Sequence, residues 1–269
     1  MESPEYATAA DLKLIRDRVD LLQIGSTEKQ QPWYKQRPSL ASLLALGFSI
    51  VTFLISQYGS SLQDIRSKQD ALRKLLTDVV AGQLETQDQL SSISDPLKRV
   101  QVSSMLNNKR VIWLDAAESL VDQLGTHVSS SEYQTLAQQK WSDSEFEKAK
   151  RYYVKSLDAA RDRFARNVAL RSLGAFFLQT PPMRNLDQGR EYFEEAVSIL
   201  GKPTDDYSNY MMGFTYESWG YGDQFNGLQN ERAEHMKRAR DYYSMMSPAN
   251  PLRNYALSNL AASNPDLTP

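Results

Sequence analysis

The apolar positions of this chain fall into three successive rhythms. The first is a block. Leu40 to Ile55 is almost continuously apolar, inside 26 charge-free residues running from Pro38 to Gln63. About 20 such residues span a bilayer core as a helix, which predicts a transmembrane segment at 39–58. Trp33, Tyr34 and Tyr58 flank it at headgroup level. Pro38 suits a first helical position, where its missing N–H costs nothing. The second rhythm is a heptad. Leu62, Ile65, Gln69, Leu72, Leu76, Val79, Gln83, Thr86, Leu90, Ile93, Leu97 and Val100 are spaced alternately three and four, and nine of the twelve are apolar. That is the seam of a coiled coil. From about residue 130 the third rhythm begins: helical patterns broken by short Gly, Pro and Asn turns.

The heptad predicts a helical rod over 59–125 that self-associates, making the protein a homo-oligomer. Asp95–Pro96 interrupts it. Asp95 can cap a new helix whose first residue is Pro96. Either one kinked helix continues through the seam, or the chain turns and 60–94 pairs with 97–124, with Gly125 ending the second helix. Before the membrane segment, Leu12, Ile15, Val19 and Leu22 repeat the three–four spacing. They predict a short helix, Ala9–Ile24, followed by a linker at 25–38; together these form an N-terminal region, 1–38.

The region 130–262 contains an internal repeat. Phe146-x-x-Ala149-x-x-x-Tyr153 recurs as Leu186-x-x-Gly189-x-x-x-Phe193, and again as Ala239-x-x-x-Tyr243. Each copy follows a helix carrying a large–small pair: Leu136–Ala137, Leu173–Gly174 and Met212–Gly213. Phe177 and Tyr216 stand three residues after the last two pairs. This resembles the tetratricopeptide repeat, with its W-x-x-L-G-x-x-Y helix and its A-x-x-x-F helix. Tyr133 matches the first aromatic and Pro251 the terminal proline of the third copy. The first two copies carry Arg161 and Gly201 in place of that proline. The third holds about fourteen extra residues, Glu217 to Asn230, which read as a loop. The expected fold is therefore all-α: a transmembrane helix, a rod and a solenoid of helix pairs. The resemblance implies recognition of a protein or peptide in the solenoid's groove.

Composition narrows the chemistry. The 269 residues include no cysteine and only two histidines, which leaves little for a metal site. Both histidines, His127 and His235, read as surface residues. A net charge of −2 gives no general attraction to nucleic acid. No phosphate-cradling, zinc-protease or nucleophile-elbow motif occurs. An enzyme and a cofactor are thus not expected, and a spacer or a subunit of a membrane-associated enzyme complex is the alternative to an adaptor. Between Lys148 and Arg171 there are eight basic residues against Asp158 and Asp162, a local charge of 8 − 2 = +6. Seven aromatics lie between Tyr207 and Phe225. These two stretches supply the expected partner-binding residues: Lys155, Arg163, Arg166, Tyr210, Trp219 and Tyr221. Basic residues before the bilayer segment (Arg18, Lys29, Lys35, Arg37) equal those after it (Arg66, Lys68, Arg73, Lys74). Lys35 and Arg37 abut the segment, which favours a cytoplasmic N-terminus and an extracytoplasmic head.

Overall fold

A computed structural model describes the backbone from Arg37 to Asn264 and the side chains from Leu62 onward, other than those of Leu84 and Gln87. The expected helix Ala9–Ile24 and almost all of the linker 25–38 lie outside the described residues. The chain divides between Ser61 and Leu62 into two units. Helix α1 runs Arg37–Ser92, followed by α2 Pro96–Leu124 and a short 3-10 turn, Gly125–His127. Then come α3 Ser130–Ser142, α4 Phe146–Ala159, α5 Arg163–Gln179, α6 Leu186–Leu200, α7 Asp206–Phe225, α8 Gln229–Ser244 and α9 Pro251–Ser263. Among the described residues there is no strand, and the fold is all-α. Among them, too, no helix is long and apolar enough to cross a membrane. The run 39–58 is helical in backbone as part of α1, but its side chains lie outside the described residues.

At Asp95 the chain turns. The Asp95 carboxylate accepts hydrogen bonds from the Leu97 and Lys98 amides, and Pro96 opens α2. Helix α2 then runs back along α1. Leu72 and Leu76 share one buried cluster with Ala117, Val121 and Leu124, and Gly82 lies beside the Trp113 ring. The same side of α1 also meets the 3-10 turn and α3. Gln69 Nε2 donates to the His127 carbonyl at 2.7 Å, Arg73 Nε to Glu132 at 2.9 Å, and Gln83 Nε2 to Gln139 at 2.9 Å. The buried stretch of the heptad is thus covered by its own chain. Its last two positions, Leu97 and Val100, are exposed on α2. The turn and hairpin, rather than one kinked helix, is the arrangement present.

From α3 onward, helices pack in antiparallel neighbours: α3 with α4, α5 with α6, α7 with α8, and α9 against α8. The first helices of successive pairs also touch one another. Small residues set the spacing within a pair. A Cβ on Gly174 would lie 2.6 Å from the Phe193 ring and 3.1 Å from the Gly189 carbonyl. One on Gly189 would meet Leu178 at 2.6 Å, and one on Gly213 would meet the Tyr243 ring at 2.6 Å. In the first pair the corresponding residue is Ala137, fully buried. Ser129 and Glu132 form a capping box at the start of α3, and Asp205 and Ser208 form one at α7.

One expected loop is a helix. The stretch from Glu217 continues α7 to Phe225, and only a short turn precedes α8. Gly220 and Gly222 carry the reason. Their missing Cβ atoms would fall 2.9 Å from Met236 Cε and 2.5 Å from Leu178 Cδ1. These glycines admit neighbouring side chains against a helix and do not mark a flexible segment.

Candidate functional site

The face formed by α3, α5 and α7 collects the chemistry. Asp162 caps α5, its Oδ1 accepting from the Phe164 and Ala165 amides at 2.9 Å. The cap fixes the register of Phe164, Val168 and Arg171, which recur at helical spacing along one side of α5. Tyr207, Tyr210 and Phe214 do the same along α7. Between the three helices lies a groove of about 400 Å³, lined by Ser131, Gln134, Phe164, Ala165, Val168 and Tyr207. Phe164 and Tyr207 meet edge to face at 4.8 Å. Gln134 Nε2 donates to Ser172 Oγ at 3.0 Å, and Asn167 Nδ2 to Thr215 Oγ1 at 3.0 Å, joining the layer laterally.

Arg171 is the unusual member. Its side chain is buried, and its guanidinium lies 4.1 Å from the centre of the Phe214 ring. Its Nη1 is enclosed without a hydrogen-bond partner. Among the described residues no carboxylate forms an ion pair with it. Burial pulls its pKa down to about 10, while the hydroxyl ends of Tyr243, Tyr210 and Tyr207 and, last, Glu217 oppose that shift. Glu217 itself accepts from the Tyr243 hydroxyl at 2.6 Å. Burial, followed by Glu217, raises the Tyr243 pKa far above the ordinary phenol value. A buried cation backed by an aromatic ring and rimmed by tyrosines is suited to hold a carboxylate beside an apolar group.

Of the residues expected to bind a partner, Tyr210 belongs here; its ring is 6.0 Å from Phe214 and 5.9 Å from Tyr243. The others lie beside the groove or apart from it. Lys155 Nζ sits over the rings of Tyr133 and Tyr152, at 5.5 and 5.8 Å. It lines an adjoining cleft with Arg73, Ser129 and Arg161, which shares Ser131 and Ala165 with the groove. Arg163 covers the Phe164 ring at 4.7 Å. Arg166 pairs with Glu195 of α6 at 2.8 Å. The basic run does not form one patch, because α4 and α5 point its members in different directions and most already have partners. Lys148, for instance, pairs with Glu145 at 2.7 Å and Glu118 at 3.4 Å.

Trp219 and Tyr221 are packing residues of α7. The Trp219 ring stacks on Phe193 at 5.4 Å and on His235 at 4.1 Å. The Tyr221 hydroxyl donates to Glu217 at 3.4 Å, and burial raises its pKa. His235 is not a surface residue: its Nδ1 lies 2.7 Å from the buried Asp223 carboxylate. The Asp223 carbonyl accepts the amides of Asn226 and Leu228, so this contact fastens the turn between α7 and α8. Arg171 and Phe214 are the residues missed. The spacing of Phe164, Val168 and Arg171 is a legible helix face, but only the fold shows that α7 brings Phe214 onto it.

Compared with models of known protein families, the chain matches none, and no curated protein matches it significantly.

Proposed function

We propose that the protein is a membrane-anchored adaptor. Its head is a degenerate tetratricopeptide-like solenoid that binds an extended protein or peptide segment carrying a carboxylate in the α3–α5–α7 groove. The observation that carries this reading is Arg171, a buried guanidinium beside the Phe214 ring that has no ion-pair partner among the described residues and whose Nη1 lacks a hydrogen bond. An unpaired buried charge is costly to keep, so its retention points to a ligand that supplies the missing anion. The charge-free run at 39–58 supports the anchor, and Lys35 and Arg37 beside it support an extracytoplasmic head.

Two experiments test the halves separately. In full-length protein captured with its partner from native membranes, Arg171→Met should abolish co-purification, while Arg171→Lys should retain part of it. The same Arg171→Met change should leave the thermal midpoint equal to or above that of the parent. A fall of several degrees would make Arg171 a structural residue and remove the basis for the groove. For the anchor, replacing Leu46 and Ile50 by Arg should release the protein from membranes, since each charge costs about 2.5–3.5 kcal/mol at mid-span. Complete release of the parent protein by alkaline carbonate would refute that half alone.

A further inference from the structure

Beside the α3–α5–α7 groove lies a larger cleft, of about 800 Å³. Ser130, Ser131, Asp162 and Ala165 line both, so the two voids are continuous. The groove is walled by the helix-pair stack and the turn before α5, whereas the cleft is also walled by the hairpin. Gln69 and Arg73 come from α1, residues 125–129 from the turn before α3, and Arg161 from the turn after α4.

Five charged side chains line the cleft: Arg73, Lys155, Asp158, Arg161 and Asp162. Arg73 is engaged by Glu132 at 2.9 Å and Asp70 at 3.8 Å. Asp162 is engaged in capping α5. Among the described residues Lys155, Asp158 and Arg161 form no ion pair. Lys155 Nζ is held over the rings of Tyr133 and Tyr152. The Tyr133 ring is itself fixed, its hydroxyl donating to the Gly125 carbonyl at 3.1 Å. Two uncommitted cations from different elements therefore line one void, against one uncommitted carboxylate, Asp158. Ser129 and Ser131 add hydroxyl donors beside them.

The spacing to Arg171 follows from the helices. Only Ala160, Arg161 and Asp162 separate α4 from α5, so Lys155 stands at the Ala165 end of α5. Ala165 precedes Arg171 by about 9 Å along that helix, and Lys155 lies farther out. We propose that the cleft is a second anchor for the segment held by Arg171. It receives an Asp or Glu side chain about four to six residues along, at roughly 3.3 Å per extended residue. The proposal rests on Arg171 as the first anchor. It makes α1 of the hairpin part of the binding surface.

The probe is a synthetic library of random soluble dodecapeptides, passed over full-length protein in detergent, with the retained peptides sequenced by mass spectrometry. Retained peptides should carry an acidic residue about four to six positions from a second carboxylate. Lys155→Gln with Arg161→Gln should reduce enrichment of that acid by about three- to tenfold and leave the other carboxylate enriched. Arg161→Gln alone, at an exposed side chain, should give part of the loss. Asp158→Asn, which removes the opposing charge, should raise the enrichment. Arg171→Met should abolish retention. An acidic preference unchanged in the double variant, or lowered by Asp158→Asn, while Arg171→Met still abolishes retention, would overturn the second anchor alone. Retention that survives Arg171→Met, or a parent that retains no peptide, would overturn the groove reading and the second anchor with it. Thermal midpoints equal to the parent's for the cleft variants would confirm that the fold is not what is being measured; a fall of several degrees in Arg161→Gln would make that side chain structural and overturn its role here.

Discussion

At the residue scale, the glycines of the helix pairs carry a sharp expectation. Gly174 faces the buried Phe193 ring and the Gly189 backbone, neither of which is a flexible side-chain end. Gly174→Ala normally favours a helix by about 1 kcal/mol. Here it should instead destabilise the head by about 1–3 kcal/mol through overpacking, measured by denaturant unfolding. The sequence made Gly174 legible as a close-packing residue, because the repeat pattern placed it beside a leucine in a helix. Gly220 and Gly222 have the same role but read as loop, because no second copy of the motif framed them. Two carboxylates give a pH expectation. Hydrogen bonds from the backbone and side chain of Ser208 hold Asp205 below its ordinary pKa, and those from Asn250 and Ser247 do the same for Asp206. A depressed folded pKa contributes stability above the unfolded value, here 3.8, and that stability is lost as pH falls through the folded value. The parent should therefore melt above the Asp205→Asn, Asp206→Asn double variant at neutral pH. The gap should close below about pH 4. A constant gap down to pH 2 would assign the difference to altered hydrogen bonding.

At the scale of elements, the heptad of α1 was fully legible as an apolar stripe and not legible as to what covers it. A three–four spacing records which side of a helix avoids water; the identity of the covering surface lies in residues far along the chain. Here those are Ala117, Val121 and Leu124 of α2 and the groups around Glu132 and Gln139 of α3. The polar seam residues Gln69 and Gln83 gave a faint sign, since each finds a specific partner in this chain. Leu72 is completely buried in that hairpin. Leu72→Ala should therefore destabilise the folded chain by about 2–5 kcal/mol. It should do so at every protein concentration, since the contact is intramolecular. A loss that disappears on raising the concentration would mean that the seam is covered by another copy instead.

At the scale of the molecule, the boundary drawn near residue 130 does not coincide with a break in packing. One buried cluster runs from Leu72 and Leu76 through Val121 and Leu124 to Val128, Leu136, Tyr152 and Phe176. Polar contacts reinforce it. Lys140, buried in α3, pairs with Glu118 of α2 at 3.3 Å and Glu145 at 3.0 Å. The Tyr152 hydroxyl donates to Glu118 at 3.1 Å. Burial, with Glu118 adding to it, pushes the Tyr152 pKa up to about 12. The hairpin of α1 and α2 thus closes the open end of the helix-pair stack, as a terminal repeat with one polar face closes a solenoid. The consequence is testable with two fragments. One beginning at Leu62 should unfold in a single transition, because both ends of the cluster are present. One beginning at Ser130 loses the part of the cluster that α1 and α2 supply around Tyr133, Leu136 and Tyr152. Each large apolar side chain uncovered is worth roughly 1.5–3 kcal/mol, so the shorter fragment should melt markedly lower and bind a hydrophobic dye. Lys140, deprived of Glu118, should add to that loss, and Lys140→Met should recover part of it in the shorter fragment while destabilising the longer one. Equal melting of the two fragments would show that the hairpin is an appendage and that the stack closes its own end.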